Sequence, residues 1–411
     1  MAVSEKTALR HSRWKRQILE IIRHTPNASR VSIKRETGLS MESALSLVEE
    51  LLQEGLICDG GKQERGSAGR RAKLLRINPD GCYFIGVRFS AGSISGVCMD
   101  FEHRVILSSK EEFAARPTGQ EMTDGVEACI RQLMERMGEK RNRLRGIGIG
   151  APGIIDPENG VITRYVHIPD WENVALRQRI EDRFHVPTYL EHGVKSSARC
   201  FLNGQNDSNL FVQMGRGISM CVTVNGHIWN GAAYLSGEVG HMHIEGNDLP
   251  CDCGKRGCLE TVVASGALTA EAGKRLNDQD FAALRPLTEA DGRVHLSAIC
   301  RAADDGCAGC QALMERAGRA VACMLSAAMM VLDPATVLLK GRLSESRVFT
   351  QALQQKLQEM CLPEIFASTR LVYLAADEEQ DALGAAELAF SRQFGVEESG
   401  DAAQQALEAS L

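Results

Sequence analysis

The sequence contains no uninterrupted run of about 18 apolar residues, so it predicts no membrane-spanning helix. Its first 20 residues also lack the continuous apolar stretch of a secretory signal. The 14 cysteines, in the absence of such a signal, argue against a disulfide framework and for a reducing compartment. We therefore expect a cytoplasmic protein without membrane contact.

The composition lacks any strong bias. With 44% hydrophobic and 24% charged residues, it excludes collagen-like, mucin-like and wholly disordered classes. The net charge of -6 is small but uneven. Residues 1–80 hold 15 Lys and Arg against 10 Asp and Glu, which leaves 32 against 43 for the remainder. A basic N-terminal segment on an acidic body suggests contact with a polyanion.

The basic N-terminal segment has the pattern of three short helices and a β-ribbon. Gly38 and Gly55 would end the second and third helices, and Ser40 would cap the third. We expect helices over 13–24, 30–37 and 41–54, and strands over 56–58 and 74–77. The third helix would turn its apolar residues inward: Ala44, Leu45, Val48, Leu51 and Leu52. This order predicts a winged helix-turn-helix.

Such a module suits DNA, because its third helix fits the major groove and its basic hairpin can reach the backbone. The cations expected to neutralise phosphates are Lys34, Arg35, Arg65, Arg70, Arg71 and Lys73. The residues expected to face the groove are Met41, Glu42, Ser43 and Ser46. Since the third helix has no Lys or Arg, base recognition would depend on serine hydrogen bonds, glutamate to cytosine, or the wing. The alternative is a helical dimerisation or protein-binding module.

After Pro79-Asp80-Gly81 the pattern changes to strands that alternate with helices. Strand hairpins mixed with crossover helices occur twice, which indicates two α/β lobes around a cleft. We therefore divide the chain into a winged helix-turn-helix domain (1–80), a first lobe (81–190), a second lobe with dimerisation helices (191–390) and a polar C-terminal tail (391–411).

One group of cysteines differs from the scattered others. Cys251, Cys253 and Cys258 lie close together, with His241 ten residues upstream of the first. Three thiolates and one imidazole make a closed tetrahedral set that suits structural Zn²⁺ and leaves no position for a reactive water. The alternative is a loop with ordinary thiols.

Three motifs together resemble the ROK family of repressors and sugar kinases: GIGAPGIID (148–156), GEVGH (237–241) and CDCGKRGCLE (251–260). The resemblance covers about residues 13–390. With the winged helix, it points to the repressor branch. It implies an α/β protein in which the winged helix-turn-helix precedes a two-lobed, actin-like ATPase fold of the ribonuclease H type. It also implies a sugar in the cleft, and dimers or tetramers on operator DNA.

The chain departs from the kinase pattern at three places where phosphoryl transfer needs carboxylates or a phosphate cradle. Arg88 stands at the aspartate position of the first phosphate loop, and the second loop (215–219) is only partly kept. Gly193 stands where the catalytic base would be, and glycine cannot accept a proton. Its neighbour His192 would point to the opposite face of the strand. We therefore expect a protein that is not an enzyme.

The sugar-contacting positions are better preserved. By the resemblance, Glu238, His241 and Glu260 match residues that contact sugar hydroxyls, although the two glutamates could instead only support the zinc loop. His167 and His192 stand where the family often has asparagine. The pocket would then bind a ligand unlike glucose, such as a phosphorylated or otherwise modified sugar, or none.

These features predict a sugar-responsive, DNA-binding transcriptional regulator that represses genes of carbohydrate uptake or metabolism. Its expected partners are operator DNA and a sugar or sugar-phosphate effector, and its expected state is a homodimer or homotetramer. Two alternatives stay open. One is a regulator controlled by a protein partner without a sugar effector, and the other is an ATP-dependent sugar kinase with a DNA-binding head.

Overall fold

The computed structural model describes residues 2–62, 73–113, 117–168, 170–201 and 207–394, without the side chains of residues 2–10 and 62. The chain forms two compact units. The described residues of the first unit lie within Met1–Thr163, Glu172–Cys200 and Glu379–Glu397, and those of the second lie within Arg164–Trp171 and Phe201–Glu378. Among the described helices, none has the length and apolar character needed to cross a membrane.

The N-terminal part of the first unit is a helix-turn-helix followed by a ribbon. The turn between its second and third helices contains Gly38, whose φ of 69° is readily adopted by glycine, and Ser40 then caps the third helix. The elements are α1 (Ala2–His24), α2 (Arg30–Thr37), α3 (Met41–Gln53), β1 (Ile57–Lys62) and β2 (Lys73–Ile77), with the two strands antiparallel. The order of elements is the predicted one, but α1 begins earlier than expected and β1 extends to Lys62 rather than ending at residue 58.

The buried face of α3 differs from the prediction at one position. Leu47 is buried at 5% exposure, whereas Leu45, predicted to point inward, is 39% exposed. Ala44, Leu47, Val48 and Leu51 follow the three- and four-residue spacing of one helical face, and Leu45 lies outside that stripe. The prediction was therefore wrong for Leu45.

The main sheet of the first unit has the strand order β10-β6-β3-β4-β5. Strands β3, β4 and β5 form an antiparallel meander, whereas β6 is parallel to β3 and β10 is parallel to β6. A small sheet, β7-β8-β9, follows β6 in sequence. The elements are β3 (Tyr83–Ser90), β4 (Ser93–Asp100), β5 (Val105–Glu112), α4 (Gly119–Met137), β6 (Leu144–Ala151), β7 (Ile154–Asp156), β8 (Val161–Arg164), β9 (Glu172–Val174), α5 (Leu176–Phe184), β10 (Thr188–His192) and α6 (Gly193–Ala198).

The second unit has its own five-stranded sheet, ordered β13-β12-β11-β14-β15, and a core built mainly on the long helix α10. Strand β14 is parallel to both of its neighbours. The elements are β11 (Asn209–Met214), β12 (Ile218–Val224), β13 (His227–Ile228), α7 (Glu260–Val263), α8 (Ser265–Lys274), α9 (Leu296–Asp304), α10 (Ala308–Leu332), β14 (Thr336–Lys340), α11 (Arg347–Met360), α12 (Pro363–Ser368) and β15 (Arg370–Leu374). Short 3₁₀ segments span Gly138–Arg143, Val239–His241, Gln279–Leu287 and Arg342–Glu345.

The last described helix, α13 (Glu378–Phe394), packs directly on the sheet of the first unit. Glycines allow this approach: a Cβ at Gly86 would lie 2.0 Å from the carbonyl oxygen of Ala382, and one at Gly148 would lie 1.7 Å from that of Ala385. The helix therefore closes on the backbone of β3 and β6 with no side chain between them.

The aromatic end of α13 also contacts the N-terminal helices. Phe390 packs edge-on against Phe84 at 5.6 Å, and the guanidinium of Arg23, near the end of α1, lies 5.2 Å from the centroid of the Phe390 ring. Arg23 donates a 3.2 Å hydrogen bond to the carbonyl of Phe101. One apolar core accordingly includes residues of α1, α2, α3, the first sheet and α13. The predicted tail (391–411) begins within this helix, and residues 395–411 lie outside the described part.

Candidate functional site

Four potential metal ligands come together in the second unit. His241, Cys251, Cys253 and Cys258 each offer one ligand atom, and these atoms all lie within 4.8 Å of one another. The Sγ atoms of Cys253 and Cys258 are 3.7 Å apart, and Cys251 Sγ is 3.7 Å from Nδ1 of His241. The structure thus brings together the four residues that the sequence predicts as zinc ligands.

The spacing of this donor set fits Zn²⁺. A tetrahedral ion with Zn–S bonds of ~2.3 Å would hold two sulfur ligands about 3.8 Å apart. The observed separation of 3.7 Å between Cys253 and Cys258 agrees with that value. Three sulfurs and one imidazole nitrogen form a common structural zinc set. The cluster is therefore a possible metal site.

Tight turns bring the cysteines together. The loop is closed by bridges between Pro250 and Arg256 and between His243 and Cys258. Gly257 has a φ of 79°, and a Cβ there would lie 2.3 Å from the imidazole of His243, so a larger residue would force the loop open. Gly257 and the three cysteines therefore lie within eight residues of sequence, whereas His241 lies ten residues upstream of the first cysteine.

The cysteine thiols of the cluster differ in acidity. Burial and a 2.9 Å hydrogen bond to Oε1 of Glu260 raise the pKa of Cys251. The pKa of Cys253 is lowered, because hydrogen bonds from the Lys255 backbone and from the other two cysteines outweigh the effect of burial. The pKa of Cys258 is raised, chiefly by burial.

Three of the predicted sugar-contacting residues lie around this cluster. Oε1 of Glu260 is 3.4 Å from Nδ1 of His241, so its carboxylate approaches the same ring nitrogen as the thiol of Cys251 does. The backbone N–H of His241 donates to the carbonyl of Glu238 at 3.2 Å. The other carboxylate oxygen of Glu260 faces Gly217, where an added Cβ would meet it at 3.5 Å. Glu260 thus lies between the potential metal ligands and the loop 215–219, which corresponds to the second phosphate loop of the kinases.

His167, a fourth predicted sugar contact, lies beside the loop that carries the three cysteines. Its Nδ1 is 3.5 Å from Oδ2 of Asp252, which sits between two of the cysteines. Its ring also packs edge-on against Tyr165 at 5.4 Å. The second unit therefore holds Glu238, His241, Glu260 and His167, whereas the fifth predicted residue, His192, belongs to the first unit.

His192 ends strand β10, next to Gly193. Burial, together with the nearby positive charges of Arg88 and Lys195, lowers the pKa of His192 to about 3. Its imidazole is therefore neutral near pH 7. The positive charge at this edge of the first sheet belongs to the arginine and the lysine.

The exposed face of the N-terminal module carries the predicted DNA contacts. The four residues predicted to face the groove are all exposed on α3: Met41, Glu42, Ser43 and Ser46. Lys34 and Arg35 are exposed on α2, and Lys73 is exposed at the start of β2. The predicted wing residues Arg65, Arg70 and Arg71 lie outside the described residues.

Most of the acidic side chains of α3 are paired, a feature that sequence reasoning missed. The amine of Lys15 on α1 lies 2.7 Å from Oε2 of Glu50 and forms a second ion pair with Glu54, just beyond the end of α3. Arg30 lies 3.8 Å from Glu49. The hydrogen bond from Lys15 is the main cause of a lowered pKa at Glu50. Glu42 is then the carboxylate that α3 presents at its exposed N-terminal turn.

We compared the chain with models of protein families and with known proteins. The fold and the site define an α/β protein with an N-terminal helix-turn-helix and a Cys/His cluster. The ROK family model matches residues 85–392, about three quarters of the chain, and the chain belongs to the ROK family.

Three of the similar proteins carry the names of transcriptional regulators. The xylose repressor of Bacillus spizizenii is 30% identical over 297 residues, covering 70% of this chain and 76% of that protein. The DNA-binding transcriptional dual regulator NagC of Escherichia coli is 26% identical over 362 residues, 87% of each chain. A crystal structure of a ROK family transcriptional regulator, a homologue of the E. coli Mlc protein, superposes with a TM-score of 0.78 at 21% identity, covering 94% of this chain and 97% of that one. The predicted family and fold are confirmed.

Proposed function

We propose that this protein is a sugar-responsive transcriptional repressor, in which the N-terminal module binds operator DNA and the ROK domain binds the effector. The observation that carries the proposal is that the N-terminal turn of α3 is exposed while the carboxylates farther along the same helix, Glu49 and Glu50, form ion pairs. Lys15 and Arg30 offset the charge of the helix at Glu49 and Glu50, so the helix can approach a phosphate backbone despite its acidic sequence. The names of the relatives support the same function.

In this proposal the metal is Zn²⁺ and its role is structural. His241 and the three cysteines would hold it through Nδ1 and three thiolates, which leaves no open position for a substrate. The ion would fix the loop that carries Glu260 and orient His241, so that the free edge of the imidazole and the carboxylates are available to sugar hydroxyls. Glu238, Glu260 and His167 are the further proposed contacts in the second unit.

Phosphoryl transfer is not part of the proposed function. The strand ends of the first unit carry Arg88 and Gly193 where a sugar kinase needs carboxylates, and His192 is a weak base because its pKa is lowered to about 3. The proposed activity is therefore regulated binding. The proposal includes the expected oligomer, a homodimer or homotetramer. Two DNA-binding modules related by twofold symmetry would match the two halves of a palindromic operator.

Helix α13 offers a route by which ligand binding would change the DNA-binding module. Gly384 in α13 packs against α6, where an added Cβ would lie 2.2 Å from the carbonyl oxygen of Ser196. Six residues later, Phe390 contacts Arg23 of α1. A ligand that favours one position of α6 would bias both contacts, provided that it binds the two states of the protein with different affinity.

The experiment that tests DNA binding is a selection from random duplexes with the purified full chain, followed by affinity measurements at several salt concentrations. The double variant Lys34→Ala/Arg35→Ala should reduce the slope of log affinity against log salt by about 2, because each lost phosphate contact removes about 0.9. The control pair Lys140→Ala/Arg141→Ala, also exposed and adjacent, should leave the slope unchanged.

The outcomes separate the candidate functions. Selection of a palindromic sequence with a salt slope that depends on Lys34 and Arg35 supports a DNA-binding regulator. Failure to enrich any sequence, with weak binding that both double variants alter equally, contradicts it. A protein that binds DNA but responds to no sugar would be a regulator controlled by a protein partner, and turnover of ATP with a sugar would make it a kinase.

A further inference from the structure

The carboxyl ends of three parallel strands meet at one edge of the first sheet. Arg88 on β3 is in register with Gly150 on β6, and Gly150 is in register with Glu191 near the end of β10. Ligands of parallel α/β sheets bind beyond this edge of the strands. The side chains at these strand ends are therefore the ones that a ligand of the first unit would meet.

Two glycines at this edge make room for one arginine. A Cβ at Gly193 would lie 2.4 Å from Cζ of Arg88 and 2.6 Å from both Nε and Nη2, so the guanidinium lies against the Gly193 backbone. A Cβ at Gly150 would lie 3.0 Å from Cδ of the same arginine. The side chain of Arg88 therefore passes over Gly150 on β6, and its guanidinium packs on Gly193. A side chain at Gly193 would displace the guanidinium.

The positive charge of Arg88 has no counter-ion in the described part of the chain. Its Nη1 donates to the carbonyl oxygens of Phe89 and Gly150, both neutral acceptors. Its Nε is buried and has no hydrogen-bond partner among the described residues. Glu191, the buried carboxylate at the end of β10, lies 3.7 Å from Arg199 instead. A partly buried cation without a counter-ion is less stable than a paired one, and a bound anion would compensate its charge.

We infer that Arg88 binds the oxyanion of an acidic sugar ligand, a carboxylate or a phosphate, over Gly193. A guanidinium offers paired N–H donors that match the geometry of such a group. Hydrogen bonds between two charged groups are also stronger than hydrogen bonds to a neutral hydroxyl. The inference rests on the proposed function only in taking the ligand to be a sugar derivative. It narrows the effector class from sugars in general to sugar acids and sugar phosphates, and it assigns their acidic group to Arg88.

The test uses matched sugars that differ only in charge. Thermal unfolding and calorimetry of the full-length, zinc-replete protein would compare glucose, galactose and mannose with their uronic acids and their 6-phosphates, at constant ionic strength. Inorganic phosphate would serve as the minimal probe. We expect saturable binding by an acidic member of the panel, with affinity at least tenfold above its neutral parent. The uronic acids and the phosphates distinguish the two kinds of oxyanion.

Variants assign the binding to the arginine. Arg88→Gln should lower the affinity for the acidic ligand by roughly 10- to 100-fold, the range expected for lost charge-assisted hydrogen bonds. Arg88→Lys, which keeps the charge but not the planar donor pair, should lose less. Arg131→Gln, an exposed arginine on α4, is the control and should bind as the parent does. Arg88→Met guards against misfolding, since an apolar side chain of similar length should keep the unliganded melting temperature.

Three results would overturn the inference. The first is a neutral sugar that binds as tightly as its acidic derivative, and the second is acidic-ligand binding that Arg88→Gln leaves intact. The third is a panel, including inorganic phosphate, without any saturable binding that depends on Arg88. In each case a retained, salt-dependent affinity for selected DNA would show that the proposed function survives without this ligand class.

Discussion

The amine of Lys15 on α1 holds the carboxylate of Glu50 on α3 at 2.7 Å, and this pair ties the first helix to the proposed recognition helix. It also removes a negative charge from the surface that would face DNA. Lys15→Met should weaken binding to a selected duplex by about fivefold, since an unpaired charge at ~4 Å costs about 1 kcal/mol in water. Adding Glu50→Gln should recover most of the loss. Equal affinities for the parent and Lys15→Met, by fluorescence anisotropy at low salt, would contradict this role.

The same pair predicts a pH dependence of stability. The pKa of Glu50 is lowered from its ordinary value of 4.5, so the pair stabilises the folded state above that pH. The contribution is lost as the pH falls through the lowered pKa. Between pH 6 and pH 3, the melting temperature of Glu50→Gln should therefore fall less than that of the parent. Glu42→Gln, on the same helix, is the control and should follow the parent curve.

Metal removal should destabilise the second unit. The full chain should contain one zinc per protomer by elemental analysis, and a chelator should lower its melting temperature because the ligand cluster constrains the loop from Pro250 to Glu260. Cys253→Ser should lose the metal and show the same melting temperature with or without chelator. Cys323→Ser, a partly exposed cysteine on α10 outside the cluster, should keep one zinc. Stoichiometric zinc in Cys253→Ser would rule out the four-ligand assignment.

Gly193 should tolerate no side chain while Arg88 is present. Gly193→Ala places a methyl group 2.4 Å from Cζ of Arg88, and overpacking of this kind costs about 1–3 kcal/mol. In an Arg88→Ala background the same change should cost at least 1 kcal/mol less, which a double-mutant cycle in urea would measure. Gly273→Ala, in α8 with open space around its Cα, is the control and should be neutral or slightly stabilising. Additive effects would mean that the two residues do not interact.

Phe390 should stabilise the DNA-binding module from the far end of the chain. Phe390→Ala removes a ring that contacts Arg23 and Phe84, and such core truncations cost about 3–5 kcal/mol. Because this ring belongs to the core shared with α1, hydrogen exchange in α1 and α2 should accelerate and DNA affinity should fall. Phe349→Ala removes another buried ring, from the second unit, and should leave exchange in α1 unchanged. The reverse pattern would refute the shared core.

The sequence predicted the elements whose signals are local. The first three helices follow from apolar periodicity and from caps such as Ser40, and the alternation of strands with helices after residue 81 predicted the α/β class. The metal ligands follow from the spacing of three cysteines over eight residues. The strands β7, β8 and β9 escaped prediction because segments of three or four residues have no measurable periodicity. The family motifs identified the site residues but not their surroundings.

The relationships that the sequence did not reveal are contacts between distant positions. Lys15 and Glu50 are 35 residues apart in the numbering, and Arg23 and Phe390 belong to opposite ends of the chain. Arg88 and Gly193 were each recognised as departures from a kinase, but no spacing rule links them. Only the fold brings β3 and β10 to the two sides of β6 and thereby places the arginine on the glycine.

The aromatic face of α13 sets a condition for exchanging DNA-binding modules between members of the family. A chimaera that joins the first 80 residues to another ROK domain would transplant Arg23 without the rings of Phe101 and Phe390 that it lies against. The transplanted module would then lose part of a core to which its own Ile18 and Ile22 also belong. A functional chimaera must therefore include Phe101 and the last described helix, α13, together with the DNA-binding module. The DNA specificity of the module and the sequence of α13 are then transferred as one unit.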